Sequence, residues 1–211
     1  MEDLHINGYV HLKSWISVEE ARTLLNECGP LVATASHIFN DNLTQKEDRK
    51  RVQENMPKRL SHTLHKKLVA TFPEKEINDY VILKSKAGCQ KQAAHMDYIP
   101  THALLDSGNK IPLLFLLALE DNTKLLVWPQ SHTLHKTISH ATISHIEVNL
   151  SAGDAIVFRG DLVHAGASYD TDNIRVHVYL DTPEIKRRKN MTYIIHKHAP
   201  TIIRSKIDAS I

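Results

Sequence analysis

The sequence has few cysteines, no long apolar run and almost no excess of either charge, and each shortage excludes a class of protein. The two cysteines, Cys28 and Cys89, are too few for a disulfide framework. No apolar run is long enough for a transmembrane helix or a secretory signal. These features favour a reducing compartment, so we expect a cytoplasmic protein that does not enter a membrane.

Charge and length limit the partners and the number of domains. Lysine and arginine number 26 against 24 aspartates and glutamates, and this net charge of +2 is too balanced to indicate a nucleic-acid-binding surface. A chain of 211 residues with 42% hydrophobic content can bury a sizeable core. The sequence shows no solenoid repeat and no low-complexity linker, so we expect a single domain over residues 1–211.

Residues 1–79 are predicted to form a helical N-terminal part. Ser17 and Glu20 make a capping box, in which the serine accepts from an early backbone N–H and the glutamate reaches back to the cap. A second helix is predicted over 58–71 because apolar side chains recur there on one stripe. The members of this stripe are Leu60, Leu64, Leu68 and Phe72. Residues 39–56 are polar and charge-rich, which predicts a mobile loop or an exposed helix.

From residue 80 the pattern changes to short apolar runs separated by Gly, Asp and Pro turns. The runs are 80–84, 112–119, 124–128, 146–150, 155–158, 163–167 and 174–180. Seven or eight short strands predict a mostly β protein with flanking helices (α+β), whose core over about 80–181 is a double-stranded β-helix, or jelly roll. The helices would pack outside this core, and residues 182–211 are predicted to form a C-terminal tail.

Two histidines and one aspartate form the most informative pattern in this core. His95 and Asp97 are two residues apart, so on an extended strand both side chains point to one side and Met96 points to the other. His164 follows 67 residues after Asp97, on another predicted strand. Two neutral imidazoles and one carboxylate can occupy one face of an octahedral ferrous ion, which leaves three positions for a chelating cosubstrate and dioxygen.

Arg175 follows His164 by 11 residues and adds a candidate anion-binding group. It lies in a run of period-two alternation over 174–181, so Arg175, His177 and Tyr179 are predicted to share one face. A guanidinium inside a barrel needs an anion to offset its burial, and its planar fork matches a carboxylate. The distal carboxylate of 2-oxoglutarate is the candidate that fits.

These residues resemble the iron(II)- and 2-oxoglutarate-dependent dioxygenases. In that superfamily a His-X-Asp…His motif binds iron, and an arginine or lysine shortly after the second histidine holds 2-oxoglutarate. The resemblance implies His95, Asp97 and His164 as metal ligands. It also implies Arg175 as the anchor of the cosubstrate, which makes all four residues catalytic, with Fe(II), 2-oxoglutarate and O2 as requirements.

Within this superfamily, two segments are most similar to the phytanoyl-CoA dioxygenase group. One is 88–97, which reads Gly-X-X-X-Gln-X-X-His-X-Asp. The other is 125–132, Leu-Leu-Val-Trp-Pro-Gln-Ser-His, where the group carries Pro-Gly-Ser-His and this chain has Gln130 in place of the glycine. The opening segment 8–17 is also similar to the first strand and turn of that group and of prolyl 4-hydroxylases.

The resemblance implies an oxidoreductase that hydroxylates a small molecule or a peptidyl side chain and releases succinate and CO2 from 2-oxoglutarate. It makes Lys84 and Gln92 candidate contacts to 2-oxoglutarate, and residues 101–110 the expected wall of the substrate pocket. Two alternatives stay open. One is a cupin-type enzyme that uses another metal, and the other is a catalytically silent jelly-roll binding module. No pattern in the sequence indicates an oligomeric state.

Several other histidines have a simpler interpretation. His132, His135, His140 and His145 follow Trp128 in a loosely polar segment, which predicts solvated loop residues rather than a second metal site. His132 is also a candidate to cap the turn or to approach the pocket. The basic run at 186–189 is likewise predicted to be a solvated part of the tail.

Overall fold

A computed structural model describes residues 2–37, 50–99, 111–133, 144–183, 185, 191–195 and 202–206. The helices are α1 (Glu2–Ile6), α2 (Val18–Leu31) and α3 (Lys58–Thr71). The strands are β1 (Tyr9–Leu12), β2 (Ser36–His37), β3 (Arg51–Asn55), β4 (Glu76–Ser85), β5 (His95–Met96), β6 (Leu113–Ala118), β7 (Thr123–Val127), β8 (Ile146–Leu150), β9 (Ala155–Arg159), β10 (His164–Gly166), β11 (Asn173–Asp181), β12 (Met191–Ile195) and β13 (Ile202–Lys206). None of the described helices is both long and apolar enough to cross a bilayer.

The strands form two antiparallel sheets. The larger sheet has the order β1-β9-β6-β11-β4-β3-β2, and the smaller has the order β13-β12-β5-β10-β7-β8. From β4 to β11 the chain passes repeatedly between the two, so that β9 and β11 lie in the larger sheet while β10 lies in the smaller. This repeated crossing between two sheets is the jelly-roll arrangement that the sequence predicts.

The two faces of the larger sheet bury different apolar clusters because side chains alternate along each strand. On β6, Phe115 and Leu117 belong to the cluster that includes the helices, whereas Leu114 and Leu116 belong to the cluster between the sheets. Strand β11 follows the same rule, with Val176, Val178 and Leu180 on the helix side. Its other face is therefore directed toward the space between the sheets.

Both predicted N-terminal helices are confirmed. The Ser17 hydroxyl accepts from the backbone N–H of Glu20 at 3.1 Å, and the Glu20 carboxylate accepts from the backbone N–H of Ser17 at 2.8 Å. This capping box opens α2. The predicted stripe of α3 is buried, and its residues are Leu60, Leu64, Leu68 and Phe72. The two helices cover the outer face of the larger sheet, as the sequence predicts.

Three segments differ from the sequence-based expectation. Residues 51–55, expected in a loop or an exposed helix, form β3 beside β4 and bury Arg51 and Val52. The polar composition of residues 51–55 gives no sign of a buried strand. Arg51 can be buried there because backbone carbonyls, rather than water, accept hydrogen bonds from its guanidinium. Residues 191–195 and 202–206, expected in a tail, form β12 and β13, and β12 extends the smaller sheet beside β5.

Some expectations concern residues that lie outside the described part of the chain. These residues are 39–49, 101–110, His135, His140 and 186–189.

Candidate active site

The three sequence-predicted metal ligands lie together between the sheets. Asp97 Oδ1 is 4.0 Å from His95 Nε2 and 3.9 Å from His164 Nε2. The two imidazole rings are 4.5 Å apart between centroids, and all three side chains are buried. One ligand atom from each residue falls within 4.8 Å of the other two, so a single ion can contact all three.

Strand pairing explains this convergence. His164 on β10 is paired directly with His95 on β5, and on its other side it is paired with Val127 on β7. Directly opposite residues of an antiparallel pair carry their side chains on the same face, a few ångströms apart. Asp97 follows the end of β5 by one residue and returns to the side of His95. Two strands of the smaller sheet and the residue directly after one of them therefore supply all three groups.

Backbone carbonyls fix the orientation of both imidazoles. His95 Nδ1 donates to the Ala93 carbonyl at 2.8 Å, and His164 Nδ1 donates to the Leu162 carbonyl at 3.0 Å. A proton on each Nδ1 leaves the Nε2 lone pair directed toward Asp97. Burial, followed by the charge of neighbouring His95, lowers the pKa of His164 to about 3. The ring is therefore neutral at ordinary pH, which is the state that binds a metal.

Arg175 projects from β11 into the space between the sheets. It is buried, its Nη1 donates to the Ser85 hydroxyl at 3.1 Å, and its guanidinium carbon lies 5.5 Å from the centre of the Tyr169 ring. His177 and Tyr179 line the same cavity as Arg175. The predicted shared face of these three β11 residues is confirmed.

One cavity connects the His–Asp cluster with Arg175. Its volume is about 630 Å³ when the open space at its mouth is counted. Apart from these four residues, its lining consists of apolar and neutral polar side chains together with His177. These residues are Gln53, Val81, Leu83, Gln92, Leu116, Leu125, Phe158, Gly166, His177, Tyr179 and Thr192. The cavity therefore has three potential metal ligands and a buried guanidinium on its walls.

The two remaining candidate contacts lie in different places. Gln92 lines the cavity, where its Oε1 accepts from the Gly166 N–H at 2.9 Å. Lys84 is not among the described residues that line the cavity, and its ammonium forms a 2.7 Å ion pair with Asp172. Strand alternation explains the difference, because Leu83 faces the cavity and the next residue points to the other side.

Arg51 and Ser85 are two buried polar residues beside the site that the sequence patterns do not predict. Arg51 is fully buried, and its Nη1 donates to the Ser85 hydroxyl at 2.8 Å while its Nη2 donates to the carbonyls of Gln90 and Ala167. The Ser85 hydroxyl therefore accepts from both Arg51 and Arg175. A single arginine in a charged run carries no signal of burial, and its partners are far away in the sequence.

His132 differs from its prediction as a solvated loop residue. It is buried, and its Nε2 donates to the His5 carbonyl at 2.9 Å. Its ring packs so closely on Gly8 that a Cβ at that glycine would lie 2.7 Å from His132 Nδ1. His132 thus connects the N-terminal segment to the loop after β7. His145 is exposed, as predicted, with its ring 5.0 Å from that of Trp128.

Comparison with known proteins adds independent findings. A family model described as phytanoyl-CoA dioxygenase matches residues 4–177. No curated protein sequence matches the chain. The epimerase SnoN, solved in complex with Fe3+, alpha ketoglutarate and nogalamycin RO, is similar in structure, with a TM-score of 0.66, 18% identity and coverage of 94% of this chain and 85% of that chain.

Two further solved structures share this fold. HygX from Streptomyces hygroscopicus, with nickel, 2-oxoglutarate and hygromycin B bound, has a TM-score of 0.65, 11% identity and coverage of 88% of this chain and 87% of that chain. A Pseudomonas putida prolyl-4-hydroxylase has a TM-score of 0.60, 12% identity and coverage of 86% and 96%. At these identities the likeness shows the jelly-roll fold.

Proposed function

We propose that this chain, which belongs to the phytanoyl-CoA dioxygenase family of iron(II)- and 2-oxoglutarate-dependent oxygenases, binds iron through His95, Asp97 and His164 and binds 2-oxoglutarate through Arg175. The observation that carries the proposal is their arrangement. Three potential ligand atoms lie within 4.8 Å of one another, in the same cavity as a buried guanidinium. Family membership disfavours both the cupin-type alternative and the silent binding module.

The donor set fits ferrous iron. Two imidazole nitrogens and one carboxylate oxygen, with positions left open, are the ligands that non-haem iron oxygenases use. The Asp97 oxygen is 3.9 and 4.0 Å from the two histidine nitrogens, so the three donors surround one space that a single ion would share. The backbone contacts that fix both imidazole tautomers can remain in place.

Arg175 supplies a positively charged group for the carboxylate of 2-oxoglutarate, which the three metal ligands alone do not. A guanidinium carries five N–H donors in a planar fork, and the hydrogen bond to the Ser85 hydroxyl uses one of them. A bidentate contact with a carboxylate is strong in a buried site because both partners are charged. When bound, iron and 2-oxoglutarate supply the oxidising chemistry, while the cavity orients the target C–H bond and excludes water.

We propose hydroxylation of a small molecule as the reaction. The hydroxyl groups of Tyr179 and Thr192 belong to residues that line the cavity beside apolar side chains, which suits an uncharged, partly polar substrate. SnoN and HygX, which share the fold, were solved with nogalamycin RO and hygromycin B respectively. A peptidyl side chain is the second candidate, because the same fold occurs in a prolyl-4-hydroxylase.

Anaerobic titration tests the site directly. Adding Fe(II) and then 2-oxoglutarate to the protein should produce a metal-to-ligand charge-transfer band in the visible spectrum. His164→Ala should lose the band because it removes one of three protein ligands, and His145→Ala, at an exposed histidine, should keep it. A band of full intensity in His164→Ala would remove this residue from the ligand set. Succinate release in the presence of neutral metabolites and of proline-containing peptides then separates the two substrate classes.

A further inference from the structure

A second buried arginine, Arg51, shares a hydrogen-bond acceptor with Arg175. Arg51 on β3 is 0% exposed, although it comes from a polar stretch of sequence. Its Nη1 donates to the Ser85 hydroxyl at 2.8 Å, and its Nη2 donates to the Gln90 carbonyl at 2.7 Å and to the Ala167 carbonyl. One guanidinium thus joins three separate segments of the chain.

Each of these segments leads to a residue of the proposed site. Gln90 lies five residues before His95, and Ala167 lies three residues after His164. Ser85 ends β4, which pairs along its length with β11. Arg51 therefore contacts the segment before one metal ligand, the segment after another, and the strand beside the cosubstrate anchor.

The Ser85 hydroxyl is the direct link to Arg175. It accepts from Arg51 Nη1 at 2.8 Å and from Arg175 Nη1 at 3.1 Å, which occupies both acceptor positions of one oxygen. Two buried guanidiniums held by the same oxygen repel each other, and one neutral hydroxyl offsets only part of that repulsion. An anion bound at Arg175 would offset more of it, so the arrangement favours a carboxylate in the cavity.

We infer that Ser85 and Arg51 are positioning residues for 2-oxoglutarate, an inference that depends on Arg175 being the anchor, as proposed above. Ser85 holds the Arg175 guanidinium in its orientation. Arg51 holds Ser85 and keeps the two ligand-bearing segments in register. Neither is among the described residues that line the cavity, so both act through Arg175 and the backbone rather than by touching the cosubstrate.

Calorimetry with Mn(II) and 2-oxoglutarate tests the role of Ser85. Ser85→Ala should weaken 2-oxoglutarate binding by about five- to tenfold, the effect of one lost hydrogen bond of ordinary strength, while Mn(II) affinity stays within about twofold of wild type. Ser61→Ala is the matched control, because this buried serine on α3 donates to the Lys58 carbonyl and does not line the cavity. Unchanged 2-oxoglutarate affinity in Ser85→Ala would overturn the inference.

Arg51→Lys tests the rest of the network. A single ammonium cannot replace two terminal nitrogens that point to different segments, so both Mn(II) and 2-oxoglutarate should bind more weakly. The part of the Arg51 effect that passes through Ser85 needs the Ser85 hydroxyl, so Arg51→Lys should cost less 2-oxoglutarate affinity in a Ser85→Ala background than in wild type. Additive losses would contradict this route. If Arg51→Lys does not fold, as judged by circular dichroism, Ser85→Ala decides alone.

The same measurements separate this inference from the proposed function. If wild type fails to bind 2-oxoglutarate, or if Arg175→Ala binds it as tightly as wild type, the anchor itself is wrong. If Arg175→Ala loses binding while Ser85→Ala and Arg51→Lys keep it, the anchor stands and the positioning role fails.

Discussion

Replacing Arg175 by alanine is the sharpest test of how the site recognises its cosubstrate. The side chain is 3% exposed and faces the cavity, so a carboxylate bound there would be largely shielded from water. Removing one partner of a buried, hydrogen-bonded charge pair costs about 2–5 kcal/mol. The affinity for 2-oxoglutarate should therefore fall at least about 30-fold, since 1.36 kcal/mol corresponds to a factor of ten.

Metal binding should persist in the same variant. Arg175 contributes none of the three proposed ligand atoms, and its hydrogen bond is to Ser85 rather than to a histidine. Anaerobic calorimetry should show near wild-type affinity for Mn(II) followed by weak binding of 2-oxoglutarate. Arg175→Lys should recover only part of the loss, because an ammonium keeps the charge but not the planar fork.

A matched control separates the anchor from a general effect of losing an arginine. Arg22 is 64% exposed and pairs only with Glu19 on the surface of α2 among its described contacts, so Arg22→Ala should leave 2-oxoglutarate binding unchanged. An anchoring role for Arg175 would be contradicted if Arg175→Ala bound 2-oxoglutarate as tightly as Arg22→Ala does. Loss of Mn(II) binding in Arg175→Ala would also count against it, because the effect would then extend beyond the anchor.

Three further changes have defined outcomes. Lys84→Ala should leave 2-oxoglutarate affinity within about twofold and cost at most about 1 kcal/mol in urea unfolding, because Lys84 pairs with half-exposed Asp172. A large loss of affinity would instead support Lys84 as a contact to 2-oxoglutarate. Gln130→Gly should stabilise the fold by about 0.5–1 kcal/mol, since Gln130 has φ +64° and relief of left-handed strain exceeds the entropic cost of glycine; a lower melting temperature would contradict this. Burial lowers the pKa of His164 to about 3. The unfolded chain therefore binds more protons between about pH 3 and 6.5, and the metal-free protein should gain stability as pH rises through that window, with a weaker dependence in His164→Ala.

The parts of the fold that the sequence predicts are those specified by local apolar patterns. The stripe on α3 has helical spacing, and the alternation over 174–180 has the spacing of a strand with two different faces. Both patterns come from burial against the same larger sheet. Because each is contained within one element, neither requires knowledge of its partner in space.

The missed elements depend on partners far away in the sequence. β3 has a single strongly apolar residue, Val52, and its strand character comes from pairing with β4. Arg51 is buried because carbonyls from two distant segments accept from it. His132 is buried because the His5 carbonyl lies within reach of its ring. Polar side chains satisfied by remote backbone groups carry no local signal, so composition alone predicts exposure for them.

Lys84 shows how one step along a strand decides whether a residue can reach the site. The segment 80–83 is apolar throughout, so the sequence does not reveal which of its faces is directed toward the cavity. The structure places Val81 and Leu83 on the cavity side. Because side chains alternate along the strand, Lys84 points to the opposite side. Gln92 lies in a loop, where no parity applies, and its side chain does reach the cavity.

The two intervals in the sequence pattern, from His95 to Asp97 and from His164 to Arg175, are constrained to different degrees. Asp97 comes directly after the two-residue strand β5, so this short interval keeps its side chain on the side of His95. The interval from His164 to Arg175 instead crosses between sheets: the chain leaves the smaller sheet after Gly166 and joins the larger one at Asn173. The connection between the sheets can gain or lose a residue without changing the direction in which the side chains of either strand point. Only the position of Arg175 within β11, which decides the face on which it lies, is therefore fixed. The order of the four groups and the face on which each lies therefore carry more information about the site than the number of residues between them.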